Sequence, residues 1–591
     1  PDSSNDQNPA PQPQDSDEEP PFDVPEPVVF DPNKATLQSV DEVFSQLELV
    51  ADFALDLETT GLDPHTDRIR LVSIACRDLV GIRSFVLEWS DEVREKLAAI
   101  LSQPELTIVG FNLAFDLAFL QTHGVKFKCK LFDVMLACEV YHGRPHISLE
   151  EAAREHLNIQ IDKTLQAADW TGDITPQMIH YAATDAEVTY KLYEKIKELL
   201  SDDVNLARVV TLENFALPAV VEMSVNGVRI DVDGWKKLTD ELENRRKAIE
   251  QQLIQMASRY GFKSINPNSV QQVRALLQKA GVQVKSTSTD ILKTIKHPIA
   301  SLICEYREIQ KLCSAYGHDW LAKCKNGVCY PRWHQIGSET GRMSCSDPNL
   351  QQIPRGTGHR RLIIPRPGHV FIIADYSQIE LRLMAEIADD EAMITAFRNN
   401  QDLHKLTASI ILGKKLSDIT PEERQLAKAV NFGLIYGMSA RSLQDYVYSS
   451  YGVSISYEEA EQYKRRFLNY YRGVKRFHDY MASKFNRGDR VVTTKLGRRR
   501  TCTTLTQMIN TPIQGSGADG LKLALAALSK VKNDNIRIIL AIHDEIVIEA
   551  PEDQAQKAKE LLVKAMDFGM SKILQKVPCT VEAHEARCWE K

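Results

Sequence analysis

No stretch of this 591-residue sequence approaches the roughly 20 consecutive apolar residues that a bilayer span requires. Nor does it open with the basic-then-apolar pattern of a secretory signal. The chain therefore reads as neither membrane-embedded nor secreted, although a beginning at Pro1 leaves room for a targeting peptide already removed. Cysteine is sparse and scattered: eleven residues make no disulfide framework and fit reduced thiols inside a cell. Cys324 and Cys329, near Cys345, His318 and His334, have spacings a zinc site could use, but we read them as ordinary thiols. A uniformly basic composition is also missing, since the formal charge is -8.

What is present accounts for much of that negative sum. Residues 1–27 form a Pro-rich acidic tract that cannot bury enough apolar surface to order itself, and we read it as a disordered tail. Basic clusters lie elsewhere, RGTGHRR at 355–361, KRRF at 464–467 and KLGRRR at 495–500. Any one such cluster is more often a solvated face than a binding site, and three in one half of the chain add modest weight to a phosphate-rich partner. The length alone allows roughly three to five structural units.

The first chemical signal is ADFALDLETTGLDP at 51–64. On a strand, Asp56 and Glu58 project from one face while Phe53, Leu55 and Leu57 occupy the other. Two further acids follow, Asp116 in FNLAFDLAFL and Asp185 in YAATDAEVTY, where Tyr181 precedes Asp185 by one helical turn. Four carboxylates and a tyrosine suit two-metal hydrolysis of a phosphodiester. The order DxE, NxxFDxxFL, YxxxD resembles the DnaQ-like 3′-5′ exonuclease domain as it occurs in bacterial polymerase I proteins. That resemblance implies metal binding by Asp56, Glu58, Asp116 and Asp185, with Tyr181 orienting the attacking water.

The second half carries three more patterns. In HVFIIADYSQIELRLMAEIA at 369–388 a β-branched strand ends at Asp375 and a helix begins near Gln378. TPEERQLAKAVNFGLIYG at 420–437 opens with Thr420 as N-cap, Pro421 at the first helical position and Glu423 completing a capping box. Arg424, Lys428, Phe432 and Tyr436 then recur every four residues as a stripe of two cations and two aromatics, suited to a nucleotide's phosphates and rings but equally to a core helix with basic ends. AIHDEIVIEA at 541–550 sets His543, Asp544 and Glu545 in an apolar, strand-rich run, either as a wet hairpin tip or as a metal site.

Taken in order, these three patterns resemble motifs A, B and C of family A DNA polymerases. The likeness extends to ETGRMSCSDPNLQQIPR (339–355), QDLHKLTA (401–408), INTPIQGSGAD (509–519) and KLCSAYG (311–317). It implies two Mg²⁺ ions per active site, with Mn²⁺ able to substitute. In the polymerase site Asp375 and Asp544 hold them, one activating the primer 3′-hydroxyl and the other escorting pyrophosphate, while Glu545 is supportive. It further implies that Arg424, Lys428 and His404 contact the incoming triphosphate, with Lys428 the acid that protonates pyrophosphate. Gln378 falls in the nucleotide site, Glu380 resembles the gate that rejects a ribose 2′-hydroxyl, Phe432 packs on the sugar, and Tyr436 stacks near the templating base. Arg342, Asn510, Gln514 and His543 resemble contacts to the primer-template end.

The sequence departs from the family at Thr506, where bacterial relatives usually carry arginine. No 5′-nuclease domain is expected ahead of the exonuclease, and the thumb has no room for a long processivity insertion. The expected architecture is α/β and α+β: an RNase H-like exonuclease domain (28–200), then a right-hand polymerase domain (201–591). Within it we expect the palm at 201–240, 331–386 and 514–591, the thumb at about 241–330 and the fingers at about 387–513. The expected activity is DNA-templated addition of dNTPs to a primer with proofreading, by a monomer located with DNA in the cytoplasm or nucleoid, or in an organelle if a leader was lost. Primer-template DNA, dNTPs and replication accessory proteins are the expected partners. A single-subunit RNA polymerase and a catalytically silent DNA-binding scaffold are the rivals; DYSQIE with Glu380 disfavours the first and the full complement of acids the second.

Overall fold

A computed structural model describes residues 37–162, 165 and 168–590; the expected disordered tail lies outside them. The first unit is built on a five-stranded sheet, with Ile82–Glu88, Ile69–Arg77, Asp52–Thr59, Thr107–Gly110 and Lys130–Asp133 in spatial order. The first three strands are antiparallel and the last three parallel, so the central strand Asp52–Thr59 pairs both ways. Being central, it buries Phe53, Ala54, Leu55 and Leu57 yet keeps Asp56 and Glu58 half-buried, as alternation requires. Helix Leu113–Thr122 and the long helix Pro176–Ser201 bring Asp116, Tyr181 and Asp185 to this sheet.

The second unit rests on a four-stranded antiparallel sheet in the order Arg537–Ile542, Glu545–Pro551, His369–Tyr376, Val581–Ala586. Helix Ala555–Ser571 packs against it and against helix Leu505–Val531. Hydrophobic residues on both faces fill one large core that continues into the helices between 379 and 486. A separate core gathers residues 249–309 from helices Val232–Ser258, Val270–Lys279 and Pro298–Tyr316, whereas Trp320, Leu321 and Cys329 pack in the large core.

One expectation is corrected, that Cys324 and Cys329 are ordinary thiols. Helix Val204–Asn226 is long and apolar enough to cross a membrane, with a mean hydropathy of 1.3 over its best window, but 61% of that window is buried within the protein. It packs against the first unit's Leu113–Thr122 helix on one side and against Leu505–Val531 and Arg537–Ile542 on the other, which accounts for its apolar surface. Cys324 and Cys329 form a disulfide across a tight turn, while the other nine cysteines are free thiols. The bridge is consistent with Lys325 and Val328 exchanging two backbone hydrogen bonds inside that turn.

A buried ionic group joins helix Val204–Asn226 to helix Leu505–Val531. Arg498 donates to Asp519 at 2.7 Å and to Glu213, and Lys522 donates to Glu213 at 2.6 Å. Gln335 and Thr494 occupy the remaining acceptors, with Gln335 donating to Glu213 and Thr494 to Asp519. Two cations and two anions thus cancel. Burial pushes Lys522 down to about 8 despite Glu213, while on Glu213 the charges of Lys522 and Arg498 overcome burial and lower its pKa.

Candidate functional sites

In the first unit, Asp116 is 2% exposed and its Oδ1 accepts the backbone N–H of Leu57 at 3.0 Å. That bond fixes Asp116 beside the strand segment that carries Asp56 and Glu58. Burial, with the Asp56 charge adding to it, raises the Asp116 carboxyl well above the usual range. Tyr181 lies one turn from the buried Asp185 on the same helix; burial raises its phenol, and Asp185 and Glu58 push it further. All five sequence-predicted residues therefore gather around the central strand of the first sheet.

In the second unit, Asp375 sits near the end of its strand and is paired in register with Glu545. His543 and Asp544 form a two-residue hairpin turn, His543 taking a left-handed φ of 54°. The hairpin-tip and metal-site readings are thus compatible: the turn carries Asp544 to the end of the Asp375 strand, where Tyr376 N donates to Asp544 O at 3.1 Å. Burial and the neighbouring Asp375 push Asp544 up to about 6. Glu545 is turned elsewhere, its Oε1 accepting the Trp589 indole N–H at 2.7 Å.

Among the described residues no three His, Cys, Asp or Glu side chains already form a metal cage. Both sites instead bring like charges together, half-buried Asp56 with buried Asp116 and half-buried Asp375 with half-buried Asp544. An oxygen-only donor set under that electrostatic load fits a hard divalent cation such as Mg²⁺.

The Pro421–Ile435 helix starts with the expected capping box, Glu423 N on Thr420 Oγ1 and Thr420 N on Glu423 Oε2. Arg424, near its start, is held by Asp402 at 2.6 Å. His404 is 3% exposed, and burial followed by the Arg424 charge lowers it to about 4, so it is neutral near pH 7. A buried chain orients it, in which Asn431 contacts His404 Nδ1 at 2.9 Å, Thr407 donates to Asn431 at 2.9 Å, and Tyr471 meets Thr407 at 2.8 Å. The ring of Phe432 lies 6.0 Å from that of His404. Lys428 lies between Arg424 and Phe432 on the same helix.

Arg342 Nη2 donates to Glu380 Oε1 at 2.7 Å. Tyr436 is half-buried beside Glu380 and Gln514, and its partial burial reinforced by the Glu380 charge raises its phenol. Burial also lowers His543, with Arg342 the next contributor. Gln378 Oε1 and Asn510 Oδ1 are buried acceptors without a protein donor, open to a ligand from outside the chain. Thr506 is exposed in the first turn of the helix that carries Asn510 and Gln514.

The sequence reading missed Asp402, Asn431, Thr407, Tyr471 and Trp589. Asp402 and Thr407 stand within QDLHKLTA and Asn431 within NFGLIYG, so those motifs marked the place without the role. Tyr471 and Trp589 are linked to the site only by the fold.

A family model for 3′-5′ exonuclease matches residues 34–201, and one for DNA polymerase family A matches residues 232–591. DNA polymerase I of Aquifex aeolicus is 35% identical over 94% of this chain and 98% of its own length. DNA polymerase I of Caldicellulosiruptor bescii is 34% identical over 68% of this chain, and the thermostable DNA polymerase I of Thermus thermophilus 32% identical over 68%; the chain spans about half the length of each. Among solved structures, the POL domain of Pol1 from M. smegmatis, in complex with DNA primer-template and dNTP, aligns with a TM-score of 0.81, at 23% identity over 94% of this chain and 98% of that one, a likeness of fold. With both family models matched and the Aquifex relative aligned nearly end to end, the chain belongs to DNA polymerase family A, its polymerase domain joined to a 3′-5′ exonuclease domain.

Proposed function

We propose that Asp375 and Asp544 form the nucleotide-addition centre of a DNA-templated DNA polymerase, and that Asp56, Glu58, Asp116 and Asp185 form a separate proofreading centre. The observation that carries this reading is the pairing of buried or half-buried like charges in both places, a cost the fold keeps at two sites and a divalent cation relieves. Two Mg²⁺ ions at each centre, replaceable by Mn²⁺, would supply the lowered hydroxyl or water pKa and the neutralisation of phosphoryl charge.

The side chains do the rest. Arg424 exchanges Asp402 for the triphosphate of an incoming dNTP, neutral His404 donates to it, and Lys428 passes a proton to the departing pyrophosphate. Phe432 and Tyr436 cover the sugar and templating base, and Gln378 completes the nucleotide site. Glu380, pinned by Arg342, closes the space a 2′-hydroxyl would need. Arg342, Asn510, Gln514 and His543 face the primer-template end, where Asn510 has an open acceptor. Tyr181 orients the hydrolytic water in the other centre. The protein acts as a monomer on DNA, and that substrate implies an intracellular location with the nucleoid.

Extension of a labelled primer-template tests the reading. The protein should lengthen the primer with dNTPs and shorten it without them, each only when a divalent metal is supplied. DNA binding with neither reaction would leave the scaffold reading standing.

A further inference from the structure

We infer that Trp589 is a positioning residue for nucleotide addition, holding the Glu545 carboxylate and through it the turn that carries Asp544. The inference rests on the polymerase centre proposed above.

Trp589 lies 44 residues beyond Glu545 and is 2% exposed. Its backbone N–H donates to Ile363 O at 2.9 Å, which pins the segment after the Val581–Ala586 strand to the residue that follows the His359–Leu362 turn. The Arg360 guanidinium covers the indole face, 4.1 Å from the ring centroid, and is itself fixed because its Nε donates to Ile353 O at 2.8 Å. Glu590, the next residue, pairs with Arg361. The indole is therefore held from its backbone, its face and its flank, and its one donor points at Glu545.

Glu545 needs such a hold. It is the first residue of its strand, directly after Asp544, and its backbone faces both Asp375 and Ile542 in the ladder. Its carboxylate borders a cavity of about 130 Å³ lined by Arg355, Arg360, Ile373, Glu545, Trp589 and Glu590, so side-chain packing alone does not fix its rotamer. The other cation near it, Arg355, stands 3.7 Å away with its side chain 66% exposed, a loose and screened partner. The indole hydrogen bond, 2.7 Å long, is the short, directional contact there. A carboxylate free to turn toward the cavity would let the adjacent turn relax, and Asp544 would then sit less firmly against Asp375.

The test is a double-mutant cycle in the full chain, read as the single-turnover rate of nucleotide addition. Trp589→Phe keeps the ring and removes the donor; it should slow addition about tenfold, with dNTP KM unchanged and primer excision by the other centre at the wild-type rate. In a Glu545→Ala background the same Trp589→Phe change should cost nothing further, because the group it acts through is gone. Trp589→His, which restores an N–H, should recover part of the rate if the donor matters. Equal slowing in both backgrounds, or His no better than Phe, would assign Trp589 to packing alone and overturn the inference. Undiminished addition by Asp544→Ala would instead remove the centre itself, a failure distinct from that of Trp589.

Discussion

Arg342 Nη2 and Glu380 Oε1 lie 2.7 Å apart, so the residue that resembles a sugar gate is tied to one that resembles a primer-end contact. Glu380 is also next to the Tyr436 hydroxyl, which places it between the nucleotide and DNA sides of the site. Removing the carboxylate should therefore loosen sugar selection. Glu380→Ala should improve the kcat/KM ratio for rNTP over dNTP by about a hundredfold, the scale for losing a steric or polar rejection, and Arg342→Ala by less. Competitive incorporation on one template measures both.

The Asn431 side chain sets His404 from inside the Pro421–Ile435 helix. Asn431→Ala should raise dNTP KM about tenfold, roughly the worth of one buried hydrogen bond, and leave excision of an unextended primer unchanged. Because burial and Arg424 hold His404 at about 4, its neutral form dominates above that value. Its contribution to dNTP KM should accordingly be flat between about pH 6 and 8, and steady-state kinetics across that range checks this.

A second pH effect belongs to stability. Glu139 is 4% exposed, and burial raises its carboxyl to about 8 although the His146 N–H donates to it at 2.6 Å. The unfolded chain ionises this group at about 4.3, so between these values the folded state binds more protons. Its contribution to stability is thus greatest below the unfolded pKa and is lost as pH rises to about 8. Glu139→Gln should flatten the fall in Tm across that window, and thermal denaturation at pH 5 and pH 8 measures the difference.

Breaking the Glu213–Arg498–Asp519–Lys522 quartet should be costly. Arg498→Met leaves Asp519 without its cation and Glu213 with Lys522 alone, all in surroundings from which water is excluded. The expected loss is about 3–5 kcal/mol in denaturant unfolding, the range for removing one partner of a buried ion pair.

Much of this site was legible because its signals are local. Thr420, Pro421 and Glu423 announce their helix start within four residues, and the alternation around Asp56 and Glu58 fixes a strand face within eight. The His543–Asp544 turn is likewise bounded by its own two strands. What stayed hidden depends on distant partners. Nothing near Trp589 points to Glu545, and nothing near Thr407 points to Tyr471. Helix Val204–Asn226 escaped the search for apolar runs because its polar residues, Glu213 and Asn214 among them, interrupt the run; the fold buries them against Arg498, Lys522 and the Asp133 backbone.

The central claim is that one chain carries two independent carboxylate centres. Its most direct measurement is a paired assay of primer extension and primer shortening on wild type, Asp544→Ala and Asp56→Ala. The account predicts that Asp544→Ala loses extension by a factor of at least about 10³ while still shortening the primer, and that Asp56→Ala does the reverse. Loss of both activities in either variant, or of neither in both, would contradict it.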